Sequence, residues 1–222
     1  MNRRTSVLNL PNCLSLLRMV LVPAFVALLL YLPDSMGPSC YLLPAAVFGL
    51  AALTDMFDGM IARSRNLITD FGKFLDPLAD KFMIFGALVA ILVSPRYAEI
   101  SGFFIWVTVI IMLRELGVTS LRLVVASKKV VVAASFFGKA KTCTQIAGVL
   151  VILLEPLFGS FGETHILAYI MMAAMVVTTV GSGLDYLRSY IPYLTGEKTD
   201  AKTGEAADEK AADKIIEKAD ET

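Results

Sequence analysis

The sequence predicts an all-α polytopic membrane protein with six transmembrane helices and both termini in the cytoplasm. Three observations carry this expectation. The 222-residue chain is 56% hydrophobic and 18% charged, with a mean hydropathy of +0.69, whereas a soluble domain usually carries about 25% charged residues. Six stretches, near 14–32, 41–61, 77–94, 101–122, 142–159 and 165–190, approach the roughly 20 apolar residues needed to cross a bilayer core of about 30 Å. The segments between them alternate in basic charge, as the positive-inside rule requires. An ordinary cytosolic enzyme and a disordered chain are both excluded.

The elements follow in order. The start, MNRRTSVLNLPNCLSLLRM, has no short cleavable apolar region and is expected to be retained. Its flank 1–18, with Arg3, Arg4 and Arg18, reads equally well as an interfacial amphipathic helix or as a plain charged flank. Span one contains Pro23, expected to bend it. Loop 33–40 has no Lys or Arg, and span two follows. Loop 62–76 carries Arg63, Arg65 and Lys73, and span three runs back out. Loop 95–100 has only Arg96 before span four. Loop 123–141 carries Lys128, Lys129, Lys139 and Lys141 before span five. Loop 155–164 has no basic residue, and span six ends beside Arg188. Residues 1–194 thus form one membrane domain. Residues 195–222 form a charged cytoplasmic tail, expected to be disordered or a transient solvated helix. Residues 197–222 hold nine Asp/Glu and five Lys. The cysteines, Cys13, Cys40 and Cys143, show no disulfide or metal-ligand spacing. His165 stands alone and falls on the outer side.

The informative segment is LTDMFDGMIARSRNLITDFGKFLDPLADK, residues 53–81. Asp55 and Asp58 are three apart and share a helix face, as do Asp76 and Asp80, four apart. The topology puts all four at the cytoplasmic ends of two neighbouring helices. An acidic side chain inside a span costs about 2.5–3.5 kcal/mol, and four together repel. Arg63, Lys73 and Lys81 are candidate counter-charges. Divalent cations suit four oxygen ligands better, and the donor set favours Mg²⁺ or Mn²⁺ over zinc. The bland alternative is a set of salt bridges at helix ends. Gly59 and Ala62 make a small-residue patch that suits either close helix packing or a flat ligand. Asp70 is read as a capping or solvated loop residue.

The pattern Asp55-x2-Asp58-Gly59-x2-Ala62-Arg63-x8-Gly72-x3-Asp76-x3-Asp80 resembles the full signature of the CDP-alcohol phosphotransferases. Four stretches are similar to the phosphatidylglycerophosphate synthase branch of that family. They are Asn9-Leu10-Pro11-Asn12-x2-Ser15-x2-Arg18, Leu75-Asp76-Pro77-Leu78-Ala79-Asp80-Lys81, Arg114-Glu115 through Leu121-Arg122, and Gly138-Lys139-x-Lys141-Thr142-x2-Gln145. The first two are shared with sister enzymes such as cardiolipin synthases, and Arg122 with the paired lysines favours this branch. The resemblance covers about residues 8–190. It implies a homodimeric enzyme of the bacterial inner membrane with its site on the cytoplasmic side and two Mg²⁺ or Mn²⁺ ions. Such an enzyme transfers a phosphatidyl group from CDP-diacylglycerol to an alcohol and releases CMP. Its partners are the lipid bilayer and its two substrates, with no nucleic acid.

Carried over residue by residue, the resemblance assigns the metal ions to Asp55, Asp58, Asp76 and Asp80, with Asp80 also the general base. Arg63 contacts the donor, Gly59 and Ala62 give the cytidine room, and Gly72 keeps the loop tight. Arg122, Lys139 and Lys141 lie at the same membrane level and suit a phosphate-bearing acceptor, glycerol 3-phosphate. Positive-inside decoration explains the lysines without any ligand. Arg114 lies about 12 Å deeper and is expected to pair with another helix or line a polar cavity, with Glu115 pointing elsewhere. Two alternatives stay open. Another acceptor, such as phosphatidylglycerol, would make the chain a cardiolipin synthase or a different family member. A divalent-cation transporter would need its acidic residues along a path near the midplane.

Overall fold

The computed structural model describes residues 10–65, 70–127, 136–158 and 164–194. Those residues form six long helices and no strand: α1 (Leu10–Tyr31), α2 (Ser39–Arg65), α3 (Asp70–Val93), α4 (Ala98–Ser127), α5 (Phe136–Leu154) and α6 (Ile166–Leu194). Each holds most of one of the six expected spans. Short 3₁₀ turns at Asp34–Met36, Pro95–Tyr97 and Glu155–Leu157 follow α1, α3 and α5. The tail 195–222 and residues 1–9 lie outside the described residues.

Helices overrun the apolar stretches at the polar end. α2 continues to Arg65 and α3 starts at Asp70, so Arg63 and Gly72 are helical rather than in a loop. Hydropathy marks where lipid begins, whereas backbone hydrogen bonding continues past it. Asp70 accordingly opens a helix instead of sitting in a connection. The described part of the N-terminal flank, from Leu10, is continuous with α1. Asn12, Ser15 and Arg18 are buried there, so these polar groups face protein rather than a membrane surface. α1, α2 and α3 run through Pro23, Pro44 and Pro77 as single helices.

Among the described residues four helices are long and apolar enough to cross a membrane: Asn12–Tyr31, Pro95–Val125, Ala140–Leu157 and Ile166–Ile191. α2 keeps a shorter apolar run, Ser39–Asp55. α3 is interrupted by Asp76, Asp80 and Lys81. It is also heavily enclosed by neighbours, with Ala79, Ala87, Leu88 and Ile91 fully buried. A helix wrapped in protein can carry charges that a lipid-facing one cannot. Trp106, Leu113, Leu123 and Val177 are exposed apolar residues, which fits a polytopic membrane protein whose outer surface meets lipid.

α1 packs against both α2 and α3, while α4 and α5 both pack on α6. Contacts of α2 with α5 and of α3 with α4 join the two halves. Phe25, Leu29, Phe48, Phe104, Ile152 and Met172 lie in the shared core. Two glycines set close approaches. A Cβ on Gly86 would stand 2.6 Å from Val22 Cγ1, and one on Gly148 would stand 2.8 Å from Met175 Sδ.

One end of the bundle is tied by Arg96. Its Nη1 donates to the Leu29 carbonyl at 2.6 Å and its Nε to Asp34 at 2.7 Å, with Nη2 on the Leu32 carbonyl. This caps the last turn of α1, where carbonyls lack helical partners. His165 joins the same end, 3.2 Å from Glu99 and 3.4 Å from the buried Glu155. Glu155 in turn accepts the Ala168 N–H at 2.9 Å, near the start of α6. The signature aspartates lie at the opposite end.

Candidate active site

The site is built from the polar ends of the helices. On α1, Asn12, Ser15 and Arg18 are spaced three apart, so they share one face. Ser15 Oγ donates to Asp76 Oδ1 at 2.6 Å. Arg18 is fully buried, and its Nη1 lies 2.8 Å from Asp55 Oδ1 and also bonds Asp80 Oδ1. One guanidinium nitrogen therefore joins a carboxylate of α2 to a carboxylate of α3. Among the described residues Arg18 is a counter-charge to these aspartates that was not among the expected candidates. The side chains of Arg63 and Lys73 lie outside the described residues, and Lys81 lines the adjoining cavity. A buried charge is tolerated when it is paired and hydrogen-bonded, and Arg18 meets that condition twice.

Asp55, Asp76 and Asp80 are thus brought together around α1. Asp80 is more open than Asp55, with 52% of its side chain exposed against 30%. The side chains of Asp58, Gly59, Ala62 and Arg63 lie outside the described residues, although α2 places their backbone on the turns just beyond Asp55. Gly72 is buried within the first turns of α3. Among the described residues no three acidic, histidine or cysteine side chains form a ready-made metal cluster, and Asp58 is outside that set. The donors still fit a hard divalent cation. Asp55 and Asp80 present their oxygens to one cationic nitrogen, and the set contains no imidazole.

A cavity of about 680 Å³ opens beside Asp55 and Asp80 and runs to Arg114, Arg122, Lys141 and Tyr186. It joins α2, α3, α4, α5 and α6. Lys141 is nearly buried and bonds Glu115 Oε1. Arg122 is exposed and lines the cavity from α4. Lys139 is on α5, with its side chain outside the described residues.

Arg114 lines the cavity, as expected, whereas Glu115 departs from expectation. Arg114 Nη1 donates to Glu115 Oε1 at 3.1 Å, so Glu115 does not point away. Both side chains are long enough to bend toward the cavity from adjacent helical positions. The guanidinium of Arg114 also lies over the Tyr186 ring of α6, 5.4 Å from its centroid, which is cation–π range. Gln145 lines the cavity, and its Nε2 donates to Thr179 Oγ1 at 3.2 Å, tying α5 to α6.

Sequence reasoning thus missed Ser15, Arg18, Glu115 and Tyr186 as site residues. The polar face Asn12/Ser15/Arg18 was a usable signal, because an apolar span rarely carries three polar groups at one helical spacing. Tyr186 carried no such mark among the apolar residues of span six.

The described residues form a six-helix bundle with acidic and basic groups lining one polar cavity, an arrangement that fits a membrane enzyme. The chain belongs to the CDP-alcohol phosphatidyltransferase family, whose model matches residues 8–181. It is 40% identical over 184 residues to the probable phosphatidylglycerophosphate synthase of Mycobacterium tuberculosis, an alignment covering 83% of this chain and 82% of that protein. It is 43% identical over 157 residues to the CDP-diacylglycerol–glycerol-3-phosphate 3-phosphatidyltransferase of Bacillus subtilis, covering 67% and 78%. The same-named protein of Salmonella typhimurium is 37% identical over 184 residues, covering 81% and 93%.

Proposed function

We propose that this chain transfers the phosphatidyl group of CDP-diacylglycerol to glycerol 3-phosphate, releasing CMP and phosphatidylglycerophosphate. The observation that carries this reading is the single cavity shared by Asp55 and Asp80 with Arg122 and Lys141. A reaction that joins a pyrophosphate donor to a phosphate-bearing alcohol needs both sets of charge within reach of one reacting phosphorus. The relatives' names add the identity of donor and acceptor.

Asp55, Asp76 and Asp80, with Asp58 from the family signature, would hold Mg²⁺ or Mn²⁺. Bound there, the ions supply positive charge against the donor pyrophosphate and the leaving CMP. Arg122 and Lys141, with Lys139, hold the acceptor phosphate by charge-assisted hydrogen bonds. Asp80 is open to the cavity and takes the proton of the acceptor hydroxyl. That oxygen attacks the phosphatidyl phosphorus in line, the new P–O bond forms, and the pyrophosphate P–O bond breaks to free CMP. Arg63, Gly59, Ala62 and Gly72 belong to the donor side. The reaction runs at the cytoplasmic face of the bacterial inner membrane, in a six-span homodimer with both termini cytoplasmic.

Kinetics test the assignment of the basic side. Lys141→Ala and Arg122→Ala each raise the KM for glycerol 3-phosphate about tenfold or more, since each removes a hydrogen bond to a charged group. The KM for CDP-diacylglycerol stays within about twofold. An unchanged acceptor KM in both variants contradicts the assignment.

A further inference from the structure

The cavity holds charges of both signs: Asp55, Asp80 and Lys81 line it from α2 and α3, and Arg114, Glu115, Arg122 and Lys141 from α4 and α5. Opposite charges in a partly buried site attract far more strongly than in water. Lysine carries its charge on a flexible four-carbon stem. A loose Lys141 ammonium would be drawn toward the aspartates, and the acceptor subsite and the base would cancel one another.

The structure holds it elsewhere. Lys141 Nζ bonds Glu115 Oε1, bridging α5 to α4. Arg114 Nη1 donates to the same oxygen. All three side chains are close to nine-tenths buried, with 10–13% exposed. Arg114 is fixed in turn by the Tyr186 ring and by Gly183, where a Cβ would come within 3.3 Å of Arg114 Cγ. Among the described residues, Arg114 Nε and Nη2 have no hydrogen-bond partner. One carboxylate is therefore set against several cations, and the basic side keeps a positive surplus for a ligand.

We propose that Glu115 is a positioning residue for the transfer reaction. It holds the Lys141 ammonium on the acceptor side of the cavity, away from Asp80. It leaves Arg114, Lys141 and Arg122 with a net charge of two positive, which matches a phosphate dianion. Glu115 acts through Lys141 and does not itself meet the reacting atoms. This role rests on the transfer reaction proposed above.

The test is steady-state CMP release by the purified full-length protein in detergent with Mg²⁺. CDP-diacylglycerol and glycerol 3-phosphate are varied separately for Glu115→Gln, Glu115→Asp, Lys141→Gln and the Glu115→Gln/Lys141→Gln double variant. Glu115→Gln raises the acceptor KM about tenfold or more and leaves the donor KM within about twofold. The double variant is no worse than Lys141→Gln alone, because the two residues act as one unit. Glu115→Asp keeps the charge and recovers part of the loss. An unchanged acceptor KM in Glu115→Gln, or losses that multiply in the double variant, overturns the proposal. If Glu115→Gln does not fold, Glu115→Asp decides: a rise in acceptor KM alone supports the role, and an equal rise in both KM values overturns it. Wild-type protein that releases no CMP with this acceptor overturns the transfer reading and the Glu115 role together. Active wild type with an indifferent Glu115 variant overturns the Glu115 role alone.

Discussion

Arg18 is the residue on which the acidic side of the site turns. It is fully buried and reaches two carboxylates 37 and 62 positions away in the chain. Removing it leaves both carboxylates without their shared cation, a loss that solvent screens in part because Asp55 and Asp80 are partly exposed. Arg18→Ala is therefore expected to lower the thermal midpoint of the detergent-solubilised protein markedly. A midpoint unchanged from wild type would show that the guanidinium is dispensable there. Asp80→Asn tests the other role at this scale. It keeps the size of the side chain, removes the base, and is expected to lower kcat about a hundredfold or more, as read by CMP release. Near-normal turnover would remove Asp80 from the chemistry. The convergence of Asp55, Asp76 and Asp80 was legible in the sequence because carboxylates at helical spacing inside apolar stretches are costly to insert and mark a polar site; the side chain of Asp58 lies outside the described residues. Arg18 was legible only as part of the polar face it shares with Asn12 and Ser15, because an arginine near the N-terminus of a first span satisfies the positive-inside rule on its own. Glu115 was read as pointing away because helical spacing gives the direction of a Cβ and not the bend of a long side chain.

Helix ends and close approaches decide how the elements bring these groups together. α2 and α3 extend past their apolar stretches, so the signature lies on two helices rather than on a helix and a loop. Hydropathy marked where the helices run and missed these ends, because an apolar stretch and backbone hydrogen bonding stop at different residues. The contact of α1 with α3 carries Ser15 and Arg18 to Asp76 and Asp80. It also depends on Gly86, where a Cβ would meet the stiff, branched Val22 at 2.6 Å. Gly86→Ala is expected to destabilise the protein by about 1–3 kcal/mol through overpacking. Val22→Ala in the same chain is expected to restore most of that loss. Thermal unfolding of the single and double variants measures both, and two independent, additive losses would mean that the contact is not tight.

At the scale of the molecule, the helices alternate in direction. The start of α1 and the end of α6 therefore lie at the end that holds the aspartates, Lys141 and Tyr186. Charge alternation along the sequence anticipated that arrangement, and the repeated antiparallel crossing explains why residues from six helices share one end. Which side chains meet across the cavity was less legible. Pairs such as Lys141 with Glu115, 26 positions apart, depend on packing between helices rather than on spacing within one. The central claim is that this cavity joins a CDP-linked lipid donor to a phosphate-bearing acceptor. CMP release by the purified protein, with CDP-diacylglycerol, Mg²⁺ and one acceptor at a time, tests it most directly. The account predicts release with glycerol 3-phosphate and not with phosphatidylglycerol, inositol phosphate or serine. Release with one of those and none with glycerol 3-phosphate would contradict it.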